Sequence, residues 1–268
     1  MKFTCFFLSL FLFSQTAWAL TGQDIIDKMD ARDQGKTMHS IMKMTLIDKK
    51  GEETERIIET WTMLYDTEKN LHQSVMEFKS PATVKGTRFL QIEQAGRDDD
   101  QWIYLPALGQ VRRIAASEGS SSFMGSDFTY DDMQLQNNRE NEKHTLLRED
   151  TLGTYPCWVV ESKSTKPDKS SYDKLVSWIS KEHLIPLRVE FYNKKNGELL
   201  KIMLVKQNIG KIDGIWTVFE TEMKNVRENH VTLLTILRNG DGLPFIEYNK
   251  KIDPRRFTRN FLQTGRAE

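Results

Sequence analysis

Residues 101–133 read QWIYLPALGQVRRIAASEGSSSFMGSDFTYDDM, and this stretch decides the fold because a repeating strand pattern does not account for it. It opens as an aromatic strand of Trp102, Ile103, Tyr104 and Leu105 and stops at Pro106, which has no N–H to give a ladder. A turn at Leu108 and Gly109 sends the chain back through residues 110–115, where Arg112 and Arg113 stand side by side. Neighbouring side chains of a regular strand point to opposite faces, so one arginine faces inward, and the sequence leaves open which. Small residues follow (Ser117, Gly119, Ser120, Ser121, Ser122), then the apolar pair Phe123 and Met124. Gly125 and Ser126 lead into Asp127, Phe128, Tyr130, Asp131 and Asp132. The composition is that of a flexible lid with apolar anchors and an acidic end.

The flanking sequence reads as scaffold for this stretch. Residues 21–33 predict a helix: Thr21 with Asp24 three residues on is a capping-box pattern, Ile25, Ile26 and Met29 form one stripe, and Gly35 ends it. From there on, short runs rich in Val, Ile, Thr and aromatics alternate with turn residues. The first hairpin pairs residues 39–48 with 53–65 around Lys49, Lys50 and Gly51. Further strands are expected at 71–78, 88–94, 143–149, 158–164, 174–180, 187–192, 199–207, 216–225 and 230–237. Their connections are short enough for a meander of antiparallel neighbours, and no helical crossover separates them. Several strands are apolar on both faces, as in residues 199–204 and 233–237, so the sheet needs cover on each side from helices or from its own curvature around a cavity. Phe257, Phe261 and Leu262 predict a short C-terminal helix.

Residues 1–19 carry the pattern of a cleaved secretory leader: Lys2, an apolar run over residues 6–13, and Ala17-Trp18-Ala19 as the cleavage site after Ala19. The apolar run is well short of the roughly 20 residues that span a bilayer. The expected arrangement is a leader at 1–19 and one domain at 20–268. Lys and Arg together number 38 and Asp and Glu 38, so no basic excess points to nucleic acid. Past the leader only Cys157 remains, within an apolar strand, where a buried inert thiol is expected and no internal disulfide is possible.

The usual catalytic constellations are missing. The five histidines (His39, His72, His144, His183, His230) stand singly, without zinc-site spacing, no G-x-S-x-G occurs, and no glycine-rich phosphate loop is present. Neither a metal nor a cofactor is called for. Asp98, Asp99 and Asp100 read as a solvated turn lacking the alternating oxygens of a calcium loop. Asp127, Asp131 and Asp132 read as a cap and as partners for Arg112 or Arg113, a latch holding the loop across the sheet. The aromatic set with Met124 fits a hydrophobic cavity under a mobile cover, and eleven methionines supply adaptable apolar surface. The candidate lining and lid residues are Phe89, Trp102, Tyr104, Phe123, Met124 and Phe128; the latch candidates are Arg112, Arg113, Asp127, Asp131 and Asp132.

Residues 81–90 (PATVKGTRFL), 102–106 (WIYLP), Arg112-Arg113-Ile114 and 123–132 (FMGSDFTYDD) resemble, in this order, the signature of bacterial outer membrane lipoprotein-sorting proteins, a LolA-like group. The resemblance covers about residues 71–262. It implies a strongly curved antiparallel sheet, an unclosed β-barrel, with a helical or loop lid over a hydrophobic cavity. The implied role is a periplasmic carrier of a lipid or of a lipoprotein's acyl chains between inner and outer membrane, without covalent chemistry. The WIYLP and GSDFTYDD blocks belong to an extended branch associated with RND-type exporters. An RND-type inner-membrane exporter and an outer-membrane receptor are therefore the implied partners, and lipid or acylated lipoprotein the cargo. The alternative is a periplasmic sensor or adaptor that binds lipid or an outer-membrane polypeptide and assists such a membrane partner. A hydrolase using Asp131 or Asp132 is the weakest reading.

Overall fold

The structure, a computed structural model, describes residues 20–134, 141–206 and 208–268; the leader expected at 1–19 lies outside the described residues. The first helix, α1 (Gly22–Asp30), is the expected one. Thr21 Oγ1 accepts from the Asp24 N–H at 3.1 Å and Asp24 Oδ2 accepts from the Thr21 N–H at 2.8 Å, which completes the capping box. Ile25, Ile26 and Met29 form its buried stripe.

Sixteen strands follow among the described residues: β1 (Thr37–Ile47), β2 (Glu53–Asp66), β3 (Leu71–Ser80), β4 (Arg88–Ile92), β5 (Asp100–Leu105), β6 (Gln110–Arg113), β7 (Glu142–Leu152), β8 (Tyr155–Ser164), β9 (Tyr172–Ser180), β10 (Pro186–Asn193), β11 (Leu199–Val205), β12 (Ile209–Ile212), β13 (Ile215–Val218), β14 (Glu220–Asn225), β15 (His230–Ile236) and β16 (Ile246–Tyr248). A 14-stranded antiparallel sheet runs β6-β5-β4-β3-β2-β1-β15-β14-β11-β10-β9-β8-β7, with β16 beside the start of β1. Each half is the expected meander, and β1 joins the halves by pairing Met42 to Ile47 with β15. One expected strand, 216–225, is split. Its first part, β13, folds back onto β12, and Asp213 and Gly214 take positive φ at the tip, as a two-residue hairpin turn requires.

The sheet is curved and unclosed. Phe89 on β4 and Phe191 on β10 belong to one buried cluster although the strands stand seven places apart in the sheet order. In a flat sheet that is a separation of about 33 Å. Both side chains reach the same cluster only because the strands wrap around it. α1 covers the same inner face at the other end, packing Ile25, Ile26 and Met29 on Val160 and Ile179. On the outer face, α2 (Arg259–Thr264) and the turn before it lay Phe257, Phe261 and Leu262 over Trp61, Val75 and Leu90.

α1 sits so close to β7 that a side chain at Gly22 would place its Cβ 2.7 Å from the backbone of His144 and Thr145. Alanine has the higher helix propensity, worth about 1 kcal/mol mid-helix, but the contact is with backbone that has nowhere to move. Gly22→Ala is therefore expected to lower stability by about 1–3 kcal/mol, measured by urea denaturation. A stabilised variant would show that the helix docks more loosely.

Candidate functional site

β6 and β7 are successive in the chain but lie at opposite edges of the sheet, and the segment between them crosses the inner face. At its centre Phe123 is fully buried, with ring centroids 5.1 Å from Phe89, 6.2 Å from Phe78 and 5.7 Å from Tyr130. The loop around it is a tight reversal. The Phe123 N–H donates to Phe128 O at 2.7 Å and Ser126 Oγ donates to Phe123 O at 2.7 Å. Met124 and Gly125 take positive φ between them, a conformation glycine adopts without steric cost. Sheet side chains then tie the loop down: Arg56 Nη1 donates to Met124 O at 2.5 Å and Gln101 Nε2 to Tyr130 O at 2.8 Å. The expected lid is thus a plug, with Phe123 at the middle of the core.

Phe89, Phe123, Met124 and Phe128 meet in this cluster. Trp102 and Tyr104 do not. They alternate with Ile103, which faces the plug, and so lie on the outer face beneath α2, where the Arg88 guanidinium stacks 5.6 Å from the Tyr104 ring. The sequence identified them as aromatic strand residues, and only the face separates them from the others.

The acidic residues of the loop meet a different cation from the one expected. Arg112 Nη1 pairs with Glu118 at 2.7 Å and Arg113 pairs with Asp100, so neither arginine reaches Asp131 or Asp132, contrary to the expected pairing. Lys201 on β11 bonds Asp132 instead, both side chains being only 4% exposed, and its Nζ also donates to Asp127 O at 3.3 Å. The ammonium lies 5.0 Å from the Phe191 ring and 5.1 Å from the Tyr172 ring. Burial pulls Lys201 below the usual lysine range, while Asp132 draws it back. The Tyr172 hydroxyl donates to Asp132 Oδ1 at 2.8 Å, and burial with that carboxylate pushes the phenol up. Asp127 Oδ2 accepts from Thr232 Oγ1 at 2.7 Å and lies 2.7 Å from His230 Nδ1. Asp131 accepts from Ser171, and burial raises its carboxyl.

Three strands thereby hold the acidic end of the plug: β9 through Tyr172, β11 through Lys201 and β15 through Thr232 and His230. Sequence reasoning missed this set. The available signal was a lone lysine in the run Leu-Leu-Lys-Ile-Met at 199–203.

Between the plug and α1 runs a groove of about 1420 Å³. Phe128 bounds it on the plug side and Ile26 and Met29 on the helix side, over a floor that includes Leu175, Val189, Met203 and Met223. Polar side chains line it too, among them Ser162, Ser171, Asp131 and Lys174.

Removing one partner of a buried pair leaves the other charge unmatched, which costs about 3–5 kcal/mol. Lys201→Met and Asp132→Asn are each expected to destabilise the fold by that amount in urea denaturation. Lys201→Met with Asp132→Asn should cost much less than the sum of the two singles; additivity would mean the two groups do not interact. Asp131 behaves oppositely in sign. Its raised carboxyl means that the folded chain keeps the proton to higher pH than the unfolded chain does. Its contribution therefore favours folding at low pH and is lost as pH rises through the folded value. Asp131→Asn should gain stability relative to the parent as pH rises above the ordinary carboxylate range, followed by melting at each pH; a difference independent of pH would contradict the assignment.

A family model described only as an uncharacterized-protein-like family matches residues 70–264. The chain is similar to a solved structure of a DUF1329 family protein from Desulfovibrio piger, with 29% identity over 90% of this chain and 98% of that one and a TM-score of 0.82. A solved outer membrane lipoprotein-sorting protein domain from Vibrio parahaemolyticus is similar at 29% identity, with the same coverages and a TM-score of 0.80. A LolA superfamily protein from Nitrosomonas europaea shares the fold at 18% identity, 91% and 100% coverage and a TM-score of 0.67. No curated protein matches the chain. An unclosed antiparallel sheet and these matches agree: the fold is LolA-like, and the chain belongs to the family whose model matches residues 70–264.

Proposed function

We propose that this chain is a periplasmic carrier that takes the apolar chain of a lipid or of an acylated lipoprotein into the groove between plug and α1, moving it between the inner and outer membrane without covalent chemistry. The observation that carries the reading is the groove itself, its lining divided between apolar and polar side chains and one wall made by the plug. An amphiphile matches that division, its hydrocarbon on the apolar side chains and its polar part on the polar ones. The surroundings are unusually adaptable. Met42, Met44, Met76, Met124, Met133, Met203 and Met223 all pack in the cluster around Phe123, and unbranched thioether chains re-pack around flexible ligands at little cost.

Each buried methylene contributes about 0.8 kcal/mol, so a chain of ten or so buried carbons offsets the ordering cost of binding. No helix among the described residues is long and apolar enough to cross a membrane. A carrier of this kind needs a donor and an acceptor. An RND-type inner-membrane exporter and an outer-membrane receptor are the partners this reading calls for.

Native mass spectrometry of the protein purified without detergent from its own periplasm tests the proposal, and a stoichiometric lipid or acylated peptide is the expected companion. An empty protein that also ignores fluorescent fatty-acyl probes would favour a sensor or adaptor instead. Leu175, half-buried on β9 at the groove floor, supplies the matching variant. Leu175→Asp should weaken probe binding at least about ten-fold with the melting curve little changed; unchanged binding would move the ligand out of this groove.

A further inference from the structure

The two edges of the sheet differ. β6 has four residues and is short enough to be blunt, whereas β7 has eleven residues, contains no proline, and has no strand on its outer side among the described residues. Its register against β8 fixes which way each side chain points. Leu146 pairs with Val160 and Arg148 with Val159, so Leu147 is an extra residue, a bulge, and it is 44% exposed. Ahead of the bulge Lys143 and Thr145 share a face with Lys163 and Glu161. Beyond it Arg148 and Asp150 share that same face with Val159 and Cys157.

Two copies of an edge strand related by a two-fold axis pair antiparallel, and residues that oppose each other must then lie on one face. An axis between Leu146 and Leu147 sets Lys143 opposite Asp150 and Thr145 opposite Arg148, each twice, with the exposed Leu147 at the centre. In a regular strand Lys143 and Asp150 would point to opposite faces. The bulge brings them to the same one.

We propose that β7 is an association edge, pairing antiparallel with β7 of a second copy of this chain in the register that opposes Lys143 to Asp150. The charges are self-complementary in that register, and the apolar Leu146 and Leu147 flank the axis. The partner would extend the sheet beyond β7, and because Glu142 lines the groove, the two grooves would open near one another. The inference is independent of what the groove carries.

Sedimentation velocity of the 20–268 chain over a wide concentration range tests it. A monomer–dimer equilibrium is expected. Lys143→Glu sets two carboxylates opposite each other twice, and Asp150→Lys does the same with two ammonium groups; each should weaken dimerisation about ten-fold or more. Mixing the two variants restores opposite charges at both contacts, so a heterodimer should form at the parental concentration. Asp150 also accepts from Trp178 Nε1 at 3.0 Å, so Leu147→Asp, at an exposed position, serves as a second disrupting variant that leaves this bond intact. A monomer at every concentration would overturn the proposal, as would a dimer indifferent to Lys143→Glu and Leu147→Asp.

Discussion

The chain has to pass from one edge of its sheet to the other in a single step, because β6 and β7 are neighbours in sequence and lie at opposite ends of the strand order. Such a crossing exposes backbone and side chains to whatever the sheet's inner face presents, and buried backbone polar groups must find partners. The sequence meets both needs with one device. Phe123 fills the space inside the curve, while the loop's carbonyls and carboxylates are bonded by Arg56, Gln101 and Lys201 on three different strands. Without the crossing, the inner face would be an open apolar trough; with it, the trough becomes a plug and a groove.

The buried Lys201–Asp132 pair gives the arrangement its specificity. A leucine and a methionine in these places would bury as well, and pairs of this kind add little net stability over an apolar replacement. The ion pair fixes where the acidic end of the plug must lie, since a carboxylate moved away from Lys201 would lose its only buried cation among the described residues. Tyr172 and Thr232 with His230 repeat the constraint on neighbouring strands. The plug is consequently held at one end by polar groups and at the other by aromatic packing, and the wall it presents to the groove is fixed from both sides.

Much of the fold was legible in the chain because it rests on local rules: the capping box at Thr21, the first hairpin, the absence of helical crossovers, and apolar residues on both strand faces. What was not legible depended on contacts between distant strands. Trp102 and Tyr104 are ordinary aromatic strand residues, and which face they occupy is set by the register of β5 against β4, where Leu90 opposes Trp102. The loop's carboxylates were expected to meet a cation, and proximity in sequence favoured Arg112 and Arg113 over Lys201, 69 residues from Asp132. β12 escaped notice because a four-residue strand with a glycine inside it, Ile209-Gly210-Lys211-Ile212, carries no periodic signal.

In the proposed carrier one groove, with the plug as one wall and α1 as the other, receives the apolar chain. Hydrogen exchange read segment by segment, with and without a bound fatty-acyl ligand, addresses it most directly. Slower exchange is expected in both walls, residues 22–30 and 126–134, while the outer-face helix at 259–264 stays as it was. Protection confined to the outer face, or none in either wall at saturating ligand, would contradict it.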